Sequence, residues 1–164
     1  MDRPLIGEPL PLDLVNTEWY HAGVYHDLLE QPGDAAGWIG GYALGDGGIA
    51  PLRQTRAALR SALAGDPAPL NDVLSHGRIA PYLTTEGPEE RVVIDEPEWE
   101  LPWRAAVSYL DLVKEYGDRI RPCTNPDCIL WFVDISRNRG RRWCSMAGCG
   151  NRAKARSFYA RKTS

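Results

Sequence analysis

Signatures of catalysis, export and membrane insertion are scarce in this chain of 164 residues, and that scarcity narrows what it can do. Only three histidines occur, His21, His26 and His76, and the first two are off the i, i+4 spacing of a metalloprotease pair. No serine carries the flanking glycines of a nucleophile elbow. Gly45-Asp46-Gly47-Gly48 lacks both the GxGxxG order and a following Lys-Ser/Thr, so a plain loop is expected there. An enzyme is therefore not expected. No run of 18 apolar residues is present, so no membrane partner is expected. Residues 1–8 lack a basic segment followed by an apolar one, which is not a secretory signal, and the expected location is the cytoplasm.

Cysteine is also scarce, but its placement is informative. All four cysteines fall in the last 42 residues as Cys123-x4-Cys128-x15-Cys144-x4-Cys149. Paired cysteines on two tight turns deliver four thiolates to a tetrahedral ion, so this spacing predicts one structural zinc ion. With every position filled by protein, no room remains for water or substrate. Two disulfides are the competing arrangement, disfavoured in a chain without an export signal. Asn125-Pro126-Asp127 is turn chemistry that lets the chain curl under a metal. Trp131-Phe132-Val133 is strand-like, Asn138-Arg139-Gly140 a turn, and Arg141-Arg142-Trp143 a return strand. A helix opening near Cys149 completes an arrangement that resembles a treble clef, its positive N-terminus facing the anionic sulfurs. Trp131 or Phe132, with Trp143 and Phe158, are expected to form the small core such a module needs.

Charge is split between the two ends. From residue 123 onward nine basic side chains face two acidic ones, a balance of +7; residues 1–122 carry ten basic and twenty acidic, or −10. A four-thiolate zinc site would lower the C-terminal balance to about +5, still strongly basic for its size. The asymmetry points to a polyanion at the basic end, with Arg137, Arg139, Arg141, Arg142, Arg152, Lys154, Arg156 and Arg161 as the candidate nucleic-acid contacts. Arg141 and Arg156 are the favoured phosphate contacts, and about six neutralised phosphates would give a log–log salt slope near −5. Arg152 could instead pair with Asp134. Asn151 could read adenine or, more in keeping with its place after a helical ligand, serve the helix end or the thiolates. Aromatic residues in this region, including Trp143 and Tyr159, could stack on single strands.

The remainder reads as a mainly α, α+β body over residues 1–120, followed by the zinc module over 121–164. A short helix is expected within residues 11–20, then one from Asp34 as N-cap to Leu44. A firm amphipathic helix carries Leu52, Leu59 and Leu63 to Gly65, and a short one spans Leu70 to Ser75. A hairpin pairs Pro81 to Thr85 with Arg91 to Ile94, and a helix buries Trp103, Ala106, Val107, Leu110 and Val113 before Gly117. Glu96, Glu98 and Glu100 alternate as in an extended segment. The body's aromatics, Trp19 to Tyr25, Trp38, Tyr42, Trp99 and Trp103, are expected to be mostly core, with a small-molecule effector pocket as the alternative. Asn16 would contact such a ligand or cap a turn.

The run Cys123-Thr-Asn-Pro-Asp-Cys128, Phe132-Val133-Asp134, Ser136-Arg137-Asn138-Arg139, Arg142-Trp143-Cys144-Ser145-Met146 and Cys149-Gly150-Asn151-Arg152-Ala153-Lys154 resembles the CGNR zinc finger. Leu12-Asp13-Leu14-Val15-Asn16-Thr17 is similar to the start of the ABATE domain that precedes this finger in bacterial stress-induced transcription regulators. The resemblance implies a zinc-binding, DNA-binding regulator with a mainly helical N-terminal region. RNA binding, or a protein-interaction or interdomain docking role for the basic module, are the other readings of the same charge. A homodimer would suit a regulator, although no heptad pattern supports one.

Overall fold

The computed structural model describes residues 3–44 and 47–162, with the backbone alone for residues 159–162. Gly45 and Asp46 of the expected loop, and the side chains of Tyr159 and Arg161, lie outside the described residues. Among the described residues six α-helices and three antiparallel strand pairs make an α+β fold, and no described helix is long and apolar enough to cross a membrane. The compact units are not consecutive in sequence. A central unit holds Leu29–Asp111, and a split unit joins Met1–Leu28 to Leu112–Ser164.

In the central unit, α2 (Pro32–Gly40) starts on a proline, whose missing N–H costs nothing in a first turn. Its N-cap is Gln31, not Asp34; the Asp34 carboxylate sits inside the first turn, where the helix dipole still favours it. Helix α3 (Ile49–Leu63) buries Leu52, Thr55, Ala58 and Leu59 on one stripe, and α4 (Ala68–Leu74) adds Leu70 and Val73. Each fully buried leucine contributes roughly 2 kcal/mol. β3 (Gly77–Thr84) pairs with β4 (Gly87–Ile94) in the expected hairpin, but each strand begins four residues earlier than expected, so Gly87–Glu90 are strand and only Thr85 and Glu86 turn. Glycine is required at position 77, where a Cβ would lie 2.7 Å from the Trp103 ring and Ile94.

The acidic run after β4 is not extended: Pro97–Trp99 form a 3-10 turn that leads into α5 (Glu100–Tyr116). The buried hydrophobics of α5 include Leu101, Trp103, Ala105, Ala106, Tyr109 and Leu112, while Leu110 and Val113 are exposed. The large Tyr109 ring takes the inward position that the sequence pattern assigns to Leu110. The Trp103 indole N–H donates to the Leu74 carbonyl at 3.0 Å, so its ring is buried without leaving a polar atom orphaned.

The split unit opens with α1 (Leu10–Val15), five of whose six residues are buried. The rest of the expected helix is instead a hairpin, β1 (Glu18–His21) and β2 (Val24–Asp27). Its two-residue turn has both φ values positive, Ala22 at 50° and Gly23 at 81°, the type I′ geometry that matches strand twist. Alanine at such a φ costs about 1 kcal/mol. Ala22→Asn should therefore raise stability by about 0.5–1 kcal/mol. An unchanged or lower urea midpoint would show that the turn holds no such strain. β5 (Ile120–Pro122) pairs with β6 (Trp131–Val133), and α6 (Asn151–Lys162) closes the chain.

Candidate metal centre and the basic face around it

The strand pairing corrects one sequence expectation. Trp131–Val133 pairs with Ile120–Pro122, the stretch just before the first cysteine, and not with Arg141–Trp143, which forms neither strand nor helix. The β5–β6 ladder folds residues 123–130 into a closed loop, sealed where Cys123 N–H donates to the Leu130 carbonyl at 2.9 Å. Within that loop Cys128 N–H donates to the Asn125 carbonyl at 2.9 Å, the turn expected of Asn-Pro-Asp. Thr124 then holds the second half of the module: its N–H and its hydroxyl both donate to the Arg142 carbonyl at 2.9 Å. Cys144 is thereby brought beside Cys123, whose sulfur accepts the Cys144 N–H at 3.4 Å. Cys149 sits in a π-type turn, Met146–Gly150, immediately before α6. The Ser145 hydroxyl caps that turn by accepting the Gly148 N–H at 3.0 Å.

The four sulfurs lie within 4.8 Å of one another, with Cys128–Cys144 at 3.8 Å and Cys144–Cys149 at 3.5 Å. These separations are far too long for disulfides, and the cysteines are free. They fit the edge of a tetrahedron with Zn–S bonds of about 2.3 Å, which is roughly 3.8 Å. Sulfurs this close cannot all ionise unaided. Contact with Cys128 draws the Cys123 thiol down to about 2; the same contact lifts Cys128 to about 12, and Cys144 is pushed up by Cys123. A dication removes that conflict. The donor set therefore suits zinc, whose role with all four positions filled by protein is to cross-link the loops.

Two side chains brace the sulfur of Cys149. Asn125, which is buried, donates its amide N–H to Sγ at 3.4 Å, and Arg152 donates Nη2–H at 3.2 Å. The thiolate in turn raises the Arg152 pKa. Arg152 thus bonds a metal ligand and does not pair with Asp134. Arg156, one turn further along α6, bonds the Asp127 carboxylate and donates to Asn125 Oδ1 at 3.3 Å, so it steadies the same loop. Asn151 donates to the Ala147 carbonyl at 3.3 Å and serves its own turn, not a sulfur. In Asn125 the sequence showed only turn chemistry. Its position between two ligands is the one signal that could have marked it as a thiolate donor.

The free edge of β6 is completed by side chains from the N-terminal segment. Asn16 is buried; its amide Nδ2 donates to the Trp131 carbonyl at 2.8 Å and its Oδ1 accepts the Trp131 N–H at 2.9 Å. Glu8 accepts the Val133 N–H at 2.9 Å, and burial pushes the pKa of this carboxyl up. One residue further on, Asp134 is fully buried. It accepts from the Ser136 hydroxyl and N–H, the Arg141 N–H and the Arg121 guanidinium, bonds that hold its carboxyl below the usual range. The core beneath is Trp19, Leu130 and Phe132 with Cys123, Cys144 and Cys149. Phe158, expected in that core, is 52% exposed, and the core includes Trp19 from β1.

Seven of the eight basic candidates sort by partner, the side chain of Arg161 lying outside the described residues. Arg141 is turned inward: its guanidinium donates to the carbonyls of Trp143, Cys144 and Val133, pairs with Glu8 at 3.5 Å and lies over the Phe132 ring. Arg152 and Arg156 are engaged as described. Arg137, Arg139, Arg142 and Lys154 are exposed and make no ion pair among the described residues. Arg142 lies over the Trp143 ring at 5.2 Å, covering an aromatic face that the sequence offered for base stacking.

Comparison with known families agrees with this construction. The family model ABATE, described as "Putative stress-induced transcription regulator", matches residues 8–116, and the CGNR zinc finger matches residues 119–162. No curated protein matches the chain. Four thiols gathered within ligand distance, in a stretch that matches a zinc finger, assign one zinc ion to this site. The chain belongs to the ABATE family and ends in a CGNR zinc finger held by Cys123, Cys128, Cys144 and Cys149.

Proposed function

We propose that this protein is a DNA-binding transcription regulator in which the zinc is structural and the phosphate contacts come from Arg137, Arg139, Arg142 and Lys154. The observation that carries the reading is the sorting of cations around the metal. Those that serve the module have hydrogen-bond or ion-pair partners, whereas these four project from its surface with no ion pair among the described residues. Exposed, unpaired cations gathered on one zinc module gain little stability for the fold but bind a polyanion through counterion release. The family's description as a transcription regulator supports the same reading.

Four neutralised phosphates would give a slope of log K against log salt near −3.6, shallower than the value expected if Arg141, Arg152 and Arg156 also took part. Replacing Arg137, Arg142 and Lys154 together by glutamine should reduce the slope by about 2.7 and leave zinc content unchanged. The assay is a salt-titrated fluorescence anisotropy series on the zinc-loaded full chain with a duplex probe. If the chain does not bind duplex at low salt, the proposal fails and the basic face is a protein-interaction surface instead.

A further inference from the structure

The proposed DNA contact leaves open which part of the duplex the zinc module enters. Two concavities flank the Arg142–Trp143 pair. One, of about 660 Å³, is walled by Arg137, Arg142, Trp143 and Met146 among others; the second, of about 300 Å³, by Arg142, Trp143, Ala153, Lys154 and Ser157. Both share Arg142 and Trp143, so these two residues form a ridge between the hollows. No carboxylate lines either hollow, and besides Arg142 each has an exposed cation in its lining, Arg137 in the first and Lys154 in the second.

Residues 140–145 carry neither helix nor strand, so an irregular segment, not a helix, presents Arg142. An α-helix with its side chains is about 10–12 Å across and suits a major groove about 12 Å wide, whereas the minor groove is about 6 Å wide. Helix α6 is badly placed to be the reading element. Arg152 and Arg156 on it are bonded to Cys149 and to Asp127, and the Asp127 carboxylate stands exposed beside that face, where it would repel phosphate. Stacking of a single strand on Trp143 is opposed by the Arg142 guanidinium that already covers the ring.

Resting on the DNA-binding reading above, we infer that Arg142, backed by Trp143, enters the minor groove of duplex DNA, with the two phosphate backbones against Arg137 and Lys154. A narrow A·T minor groove has the more negative potential and draws an inserted arginine, so the favoured partner is A·T-rich duplex. Arginine, more weakly hydrated than lysine and planar, suits that slot.

The test compares the zinc-loaded full chain on two duplexes of equal length, one with a central A-tract and one with a G·C centre, and on the corresponding single strand, at one ionic strength. The A-tract should bind about fivefold or more tightly than the G·C duplex, and the minor-groove ligand netropsin should displace the protein. Arg142→Lys should erase most of that preference with the salt slope unchanged, whereas Lys154→Gln should lower the slope by about 0.9 and keep the preference. Equal affinity for the two duplexes, or tighter binding to the single strand, overturns minor-groove entry while DNA binding stands. Failure to bind any of the three overturns both.

Discussion

Replacing Cys149 by alanine is expected to lower zinc content from one per chain to below about 0.1 and to unfold the split unit, because structural zinc contributes about 10–16 kcal/mol in finger modules. That exceeds or matches the whole stability of an ordinary domain, about 5–15 kcal/mol. The effect should be large here for a second reason. Three of the six buried residues in the unit's core cluster are the ligands Cys123, Cys144 and Cys149 themselves. Losing the ion removes the packing partner of Trp19, Leu130 and Phe132 as well as the cross-link. The loss should appear in metal analysis and as a collapse of the near-ultraviolet circular dichroism of Trp19. Asn125→Ala is the graded comparison: the four ligands remain, but Cys149 loses a hydrogen-bond donor and zinc should be held 10–100-fold more weakly in chelator competition. If Cys149→Ala kept one zinc and its tertiary signal, a site built on these four cysteines could not stand.

The second large effect is expected far from the metal in sequence. Asn16→Ala deletes two hydrogen bonds and leaves the Trp131 N–H and carbonyl without partners at the edge of β6. Each unsatisfied buried group costs about 1–3 kcal/mol, so a loss of roughly 2–6 kcal/mol is expected, read as a lower urea midpoint for loss of the Trp131 signal. Asn16→Asp separates pairing from simple size. Its carboxylate can still accept the Trp131 N–H, but it faces the Trp131 carbonyl with an acceptor where a donor is needed, so it should rescue less than half of the loss. Zinc should also leave faster from Asn16→Ala, since Trp131 follows the loop that carries Cys123 and Cys128. Were Asn16→Ala as stable as the parent, the side-chain pairing at the β6 edge would be of no energetic consequence.

The same Asn16 shows where sequence reasoning stops. The shared Leu12-to-Thr17 stretch marked it, and either a ligand contact or a turn cap was consistent with its chemistry. Its actual role, standing in for a strand beside Trp131, depends on a partner 115 residues away. Arg141 makes a similar case. Its charge and position near a turn made it a good phosphate candidate, yet its guanidinium donates to three carbonyls that the fold curls around it and pairs with Glu8. Glu18 to Tyr20, at the end of the segment where a short helix was expected, are instead strand, because so short a run carries no strong strand period, and the positive φ of Ala22 is not written in its residue type.

Local chemistry determined a great deal by itself. Four cysteines in two spaced pairs specify a closed zinc site, because ligand type and turn residues act within a few positions of one another. The amphipathic period of α3 and the existence of the β3–β4 hairpin were legible for the same reason, as was the charge split between the two ends. Tertiary structure alone decided which loops the metal ties, that residues 1–28 share a compact unit with the finger, and which arginines remain free for a partner. Those outcomes depend on buried N–H and C=O groups finding acceptors and donors wherever the folded chain offers them, and a guanidinium's nearest carbonyl cannot be read from its neighbours in sequence.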